Sequence, residues 1–152
     1  MSDTIYKIFP RFYSYSLIYS DEKIIGAVNI LNSYSQEKIT FTNYNSVRFI
    51  DCGEGLKHIF CPWCGREFHM EQWQGMMNEA YKNNAFEYLG LRLPCCKSSS
   101  SLDELIYVKP CGFATFVIEV FNPIIIPCVV ELDEMGKCFG HPKFFKMISA
   151  HI

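Results

Sequence analysis

A chain of 152 residues with a net charge of -2 has the length of one domain, and its cations form no run that could track a phosphate backbone, so nucleic acid is not an expected partner. Apolar residues make up 49% and charged residues 20%, the balance of a chain that buries a core rather than one that stays disordered. Met1-Ser2-Asp3-Thr4 lacks the basic and apolar regions of a secretory signal, and the most apolar stretch, 124–130, is too short to span a bilayer. The expectation is a cytoplasmic protein without a membrane anchor, whose eight cysteines are metal ligands or buried thiols rather than a disulfide framework.

In chain order, residues 1–56 read as an N-terminal β-rich segment. Residues 12–19 alternate aromatics with serine, 24–31 are rich in Ile and Val, and β-leaning runs follow at 38–42 and 47–50. Asn32-Ser33, residues 43–46 and Asp51-Cys52-Gly53 punctuate them as turns, which together predict an antiparallel meander.

The middle region, 57–102, opens with a short strand at 57–60 that runs into Cys61-Pro62-Trp63-Cys64-Gly65. Met70, Trp73, Met76, Met77, Ala80 and Tyr81 then recur at spacings of three and four, the stripe of an amphipathic helix. Glu67 and Glu71 favour its start, Asn83-Asn84 weaken its end, and Gly90 would stop any continuation through Phe86 and Leu89. The chain returns through 91–93 to Pro94-Cys95-Cys96.

In the C-terminal α+β segment, 103–152, Ser101 and Glu104 have capping-box spacing for a helical turn over 102–105. Residues 113–121 predict a strand ended by Asn122-Pro123. Leu132, Met135, Cys138 and Phe139 predict a short helix ended by Gly140, with Pro142 beyond, and 144–152 predict a final strand. The three segments are expected to form one compact α+β unit, an antiparallel sheet with a few helices.

Chemistry concentrates at the cysteines. Two residues between Cys61 and Cys64 let both sulfurs face one point about 2.3 Å away, the zinc–thiolate distance, while Pro62 fixes a turn angle and Gly65 accepts a positive φ. Tetrahedral zinc needs four ligands, and Cys95 with Cys96 can supply the other two. Adjacent residues on a strand point to opposite faces, so this pair must lie in a turn, which Pro94 makes credible. Arg66, Lys57, Arg92 or Lys97 could offset the surplus negative charge, and Trp73 is expected to pack near the turn. His58, His69, Cys52 and Cys111 are reserve ligands should one adjacent cysteine be a bystander.

The competing reading of Cys61 and Cys64 is a thiol redox pair at a helix N-terminus, but such motifs sit in a parallel βαβ setting and need no second pair. Cys52, Cys111, Cys128 and Cys138 read as small buried hydrophobes, since no metal spacing links them, with or without His141. No phosphate loop, nucleophile elbow, paired-His metalloprotease motif or deaminase His-x-Glu is present, and Asp103-Glu104 and Asp133-Glu134 read as solvated residues. A site of four thiolates is closed to substrate and ordinarily structural. The expectation is therefore a non-enzyme that binds Zn2+ and presents an aromatic-rich surface to a protein partner, with a thiol-dependent redox protein or enzyme as the alternative.

The cysteine turn followed by Trp73-Gln74, the segment Leu93-Pro94-Cys95-Cys96, Ser101-Leu102-Asp103-Glu104-Leu105, Gly112-Phe113-Ala114-Thr115-Phe116, Asn122-Pro123 and Ala150-His151-Ile152 resemble small bacterial zinc-ribbon proteins of uncharacterised function. The resemblance covers roughly 57–152 and makes 57–102 a zinc-ribbon-like module. It implies zinc at Cys61, Cys64, Cys95 and Cys96 and brings no activity with it.

Overall fold

Residues 112–121 are buried almost without interruption, the signature of a strand covered on both faces. The computed structural model, which describes residues 3–15, 17–34, 38–53 and 55–151, makes this strand central in an α+β fold. As β7 (Gly112–Phe121), it joins β1 (Thr4–Pro10), β2 (Lys38–Ile50) and β8 (Phe145–His151) in a four-stranded antiparallel sheet of order β2-β7-β1-β8. The register runs Ile8 to Ile118, Lys38 to Phe121, Ile50 to Gly112 and Thr4 to His151, with an irregularity in β2 between Asn43 and Arg48. Met1, Ser2, Ser16 and Ile152, which entered the sequence reading, lie outside the described residues.

Alternation along the strands sorts the side chains. Ile8, Phe116, Ile118, Val120 and Phe145 turn to one face, where helices α1 (Asp21–Tyr34) and α3 (Val129–Lys137) contribute Ile24, Ala27, Val28, Leu31, Leu132 and Met135. Phe9, Val117 and Ile148 turn to the other face and form a separate cluster that includes Ile50 and Ala114. Aromatic rings close the helical layer. Phe139 stacks on Phe144 at 4.5 Å between centroids and on Phe116 at 5.7 Å.

Two predicted strands are corrected here. Residues 24–31 belong to helix α1, because the buried Ile24, Ala27, Val28 and Leu31 recur at helical spacing. Its start is signalled by Ser20, whose Oγ accepts from the Lys23 N–H at 3.3 Å, and by Asp21 and Glu22 in the first turn. Among the described residues of 12–19 the only regular element is a 3-10 turn, Tyr13–Tyr15. The tyrosines of this stretch act as ring plugs rather than strand residues: Tyr15, in the turn, stacks on Phe144 at 5.2 Å, and Tyr19, beyond it, meets Phe116 edge-on. The expected N-terminal meander is absent from the described residues, since β1 and β2 pair with β7 and not with each other. β1 itself escaped the sequence reading.

Between β2 and β7, which are neighbours in the sheet, residues 53–110 make an excursion. It contains β3 (His58–Phe60) paired with β6 (Ile106–Val108), β4 (Gly90–Arg92) paired with β5 (Ser99–Ser101), and α2 (Met70–Asn84). The predicted stripe places Trp73 and Met77 in a second core with Ile59, Cys61, Phe68, Leu89, Leu93, Leu102 and Leu105, and this core joins the sheet through Val47 and Phe113. The indole N–H of Trp73 donates to the Tyr107 hydroxyl at 3.2 Å, which in turn donates to the Leu102 carbonyl at 2.7 Å. Helix α2 stops at Asn84, where Ala85 and Phe86 turn left-handed (φ 50° and 64°), and not at Gly90, which instead opens β4. Residues 102–104 form the expected helical turn, but without the predicted capping box: Ser101 bonds the Asp103 carboxylate, and Ser100 bonds Glu104.

α3 and β8 lie where the sequence placed them. Inside α3, Gly136 is buried, and a Cβ there would fall 2.4 Å from the His141 carbonyl oxygen. Gly136→Ala is therefore expected to destabilise by about 1–3 kcal/mol, overriding the roughly 1 kcal/mol that alanine gains from helix propensity, as read from denaturant unfolding. No helix among the described residues is long and apolar enough to cross a membrane.

Candidate metal centre

The four predicted ligands converge. The sulfurs of Cys61, Cys64, Cys95 and Cys96 all lie within 4.8 Å of one another, and they form the one such cluster of potential ligands among the described residues. A tetrahedron of sulfurs about 2.3 Å from a central ion has edges of about 3.8 Å. Cys61 Sγ and Cys96 Sγ are 3.8 Å apart. The donor set is all thiol, which suits zinc and other thiophilic ions, and these residues can hold a metal ion.

Two turns of the same design build the site. In the first, the Cys61 N–H donates to the Arg66 carbonyl (2.8 Å) and the Gly65 N–H returns to the Cys61 carbonyl (3.1 Å). In the second, the Leu93 N–H donates to the Ser98 carbonyl (2.9 Å) and the Lys97 N–H returns to the Leu93 carbonyl (2.9 Å). The turns superpose in bonding pattern but not in ligand position. Cys61 and Cys64 hold the first and fourth places of one turn. In the other, Leu93 holds the first place as a fully buried core residue, and Cys95 and Cys96 hold the third and fourth. The turn at Pro94 that the adjacent cysteines required is present.

The fifth place is left-handed in both turns, with φ 76° at Gly65 and 62° at Lys97. Only glycine occupies that region without cost, and a Cβ at Gly65 would meet no atom within 4 Å, so backbone strain alone decides the effect there. Lys97→Gly is expected to stabilise the metal-loaded protein, and Gly65→Ala to destabilise it, each by about 1 kcal/mol in denaturant titrations.

In the absence of a cation the thiols differ: Cys61 and Cys96 are brought down, and Cys95 is pushed up. Burial pushes the Cys61 thiol up, but the N–H groups of Cys64 and Trp63, both 3.3 Å from its sulfur, together with the neighbouring thiols of Cys95 and Cys64, outweigh this and bring it down to about 6. Cys95 is pushed up to about 12, first by burial and then by the sulfurs of Cys64, Cys61 and Cys96. Like charges this close need a cation between them before all four can ionise. Cys61 is buried, Cys95 and Cys96 are half-buried and Cys64 is exposed, so the site sits at the surface with one open corner. Arg66, Lys57, Arg92 and Lys97, the suggested counter-charges, are all exposed.

The reserve ligands have other partners. His58 Nδ1 is 2.7 Å from Glu67 Oε2, and His69 precedes α2, where its N–H donates to Gln72 Oε1 at 3.0 Å. Cys52 and Cys111 are buried as expected, but they lie against each other, Sγ to Sγ 3.5 Å, a proximity that no spacing in the sequence announced. Cys128 and Cys138 are exposed, which corrects their reading as buried hydrophobes. Both fall near the ends of α3, where its outer surface meets solvent. Asp133 pairs with Lys143 at 3.2 Å and Glu134 with Lys137 at 2.8 Å.

The chain matches no family model, no curated protein and no solved structure.

Proposed function

We propose that Cys61, Cys64, Cys95 and Cys96 bind one Zn2+ as a structural site, and that the protein is a non-catalytic protein-interaction module akin to the small zinc-ribbon proteins it resembles. The observation that carries the reading is the convergence of four sulfurs within 4.8 Å of one another, one pair of them at the 3.8 Å of a tetrahedral edge. With every coordination place taken by protein, the metal offers no vacancy to a substrate and acts on folding instead. Against a redox role for Cys61 and Cys64, α2 begins only at Met70, and the strand pairs β3–β6 and β4–β5 around the site are antiparallel.

Two surfaces support the binding role. A groove of about 630 Å³ runs along α2 beside the metal turns, lined by Gln72, Met76, Glu79, Tyr88 and Leu91 among others. Beyond β7, Ile124, Ile125 and Ile126 are 91%, 73% and 50% exposed, an apolar run of the kind that marks contact surfaces.

Native mass spectrometry of freshly purified protein tests the metal, with one zinc per chain as the expected mass. Iodoacetamide supplies the second arm, because closed coordination protects Cys61 and Cys95 until a chelator is added. Rapid labelling of Cys61 in zinc-loaded protein would instead favour the thiol-redox alternative. A partner that co-purifies and is lost on Tyr88→Ala with zinc retained supports the interaction role; turnover of a thiol substrate by the loaded protein overturns it.

A further inference from the structure

The pair formed by Cys52 and Cys111 stands at a particular place in the chain. Ile50 and Gly112 are the last register partners of β2 and β7. Cys52 lies just past the end of β2 and Cys111 just before the start of β7, so the two sulfurs, 3.5 Å apart, close the neck through which residues 53–110 leave and re-enter the sheet. Everything that carries the four-cysteine site lies inside that loop.

The neck is fixed from both sides. Lys7 of β1 donates to the Asp51 carbonyl at 2.9 Å, and Lys146 of β8 donates to the Cys111 carbonyl at 3.1 Å. Phe9, Ala114, Val117 and Ile148 share a buried cluster with Cys52 and Cys111, residues that are 2% and 6% exposed. This surrounding holds the two thiols in contact without offering either a metal, since no third ligand joins them in a cluster among the described residues. Burial, and then the sulfur of Cys52 beside it, push the Cys111 thiol up to about 12, so Cys111 is protonated at neutral pH and reacts slowly while the neck is closed.

We propose that Cys52 and Cys111 are a redox-modifiable dithiol whose oxidation by a small hydroperoxide staples the neck of the 53–110 excursion. In the first step one sulfur attacks the peroxide O–O bond, forming a sulfenic acid and releasing water (for hydrogen peroxide) after proton transfer. In the second, the partner thiol attacks that sulfur, the S–O bond breaks, an S–S bond forms and a second water leaves. Two thiols and one peroxide thus give one disulfide and two waters, and a dithiol reductant reverses the change by exchange. The closed loop spans the whole excursion, so the staple limits how far that segment can unravel when its own core opens. This inference is independent of which metal, if any, the four-cysteine site holds.

The test uses the full chain loaded with zinc, treated with graded hydrogen peroxide and then alkylated under denaturing conditions without reductant. The expected result is a mass loss of two hydrogen atoms, a cross-linked peptide containing Cys52 and Cys111, and recovery of both thiols with dithiothreitol. The oxidised protein is expected to melt about 5–10 °C higher than the reduced form, and Cys111→Ala to lose both the cross-link and the shift. Because the cross-link is mapped in the unmodified chain, the test survives a variant that does not fold. Sulfinic acid at either position without a cross-link, or a disulfide drawn from Cys61, Cys64, Cys95 or Cys96 while Cys52 and Cys111 remain alkylated, overturns the proposal. Failure of the zinc reading would appear separately, as a missing metal in the native mass of untreated protein.

Discussion

Stripping the metal with a chelator, or removing one ligand by Cys96→Ser, is expected to unfold much of the 53–110 excursion at a cost of more than about 5 kcal/mol, a fraction of the 10–16 kcal/mol that structural zinc supplies to isolated zinc-finger peptides. The reason lies in how little else holds that part of the chain. Strands β3, β4, β5 and β6 are three residues each, and a two-stranded pair of that length does not stand alone in water. Its core of Ile59, Phe68, Trp73, Met77, Leu89 and Leu93 reaches the sheet through Val47 and Phe113, and a metal bound between the two cysteine turns would add a cross-link within that core. Trp73 is buried and Trp63, within the first cysteine turn, is already 65% exposed, so a red shift on chelation reports Trp73. Hydrogen exchange should lose protection in α2 and keep it in β7 and β1. An unchanged melting curve and unchanged tryptophan emission after chelation would show that the site carries no folding energy.

Phe116→Ala is expected to produce the opposite pattern, costing about 4 kcal/mol and lowering Tm by about 10 °C while the metal stays bound. Phe116 is fully buried on the helical face of the central strand, with Phe139 stacked against it at 5.7 Å and Tyr19 and Phe145 edge-on at 5.7 and 6.0 Å. Its removal leaves a hole bounded by rings that are themselves pinned: Phe139 by Phe144, and Phe145 by its place in β8. Collapse into such a space is limited, which puts the cost in the upper part of the large-to-small range. The metal turns contribute nothing to this cluster, so zinc stoichiometry by native mass should not change. A loss below about 1 kcal/mol would mean that the aromatic layer repacks freely.

The pairing of these two outcomes mirrors what could be read from residues and what could not. The cysteine turns were legible because local geometry decides them: Cys61 to Gly65 encodes its own turn, and two adjacent cysteines after a proline have one way to reach a common ion. α2 and β7 were legible because their patterns are long and of one period. Residues 24–31 were not, because Ile24, Ile25, Val28 and Ile30 carry strand propensity while their burial follows the helical period, and packing on the sheet outweighed propensity. Ser20 with Asp21 and Glu22 was the available signal. The Tyr-Ser alternation at 12–19 misled for a related reason, since its rings fill gaps in a distant aromatic layer that no short window reveals. The contact between Cys52 and Cys111 is a product of sheet topology alone. It follows once β2 and β7 are known to be neighbours, and no spacing rule contains that fact.

The strand order also governs the sequence of events as the chain emerges from the ribosome. β1 pairs with β7 and β8, both of which lie beyond residue 111, whereas the partners of β4 and of the metal turns lie within tens of residues. Local contacts form before distant ones, so the cysteine segment can organise while β1 still has two open edges. Strand β8, whose register runs the full length of β1 from Thr4–His151 to Pro10–Phe145, closes one of those edges only after β7 and α3 have been made. Strand β1 therefore precedes both of its partners in the chain by more than a hundred residues, and until they emerge its unpaired edges are open to the wrong contacts that multi-step folding risks.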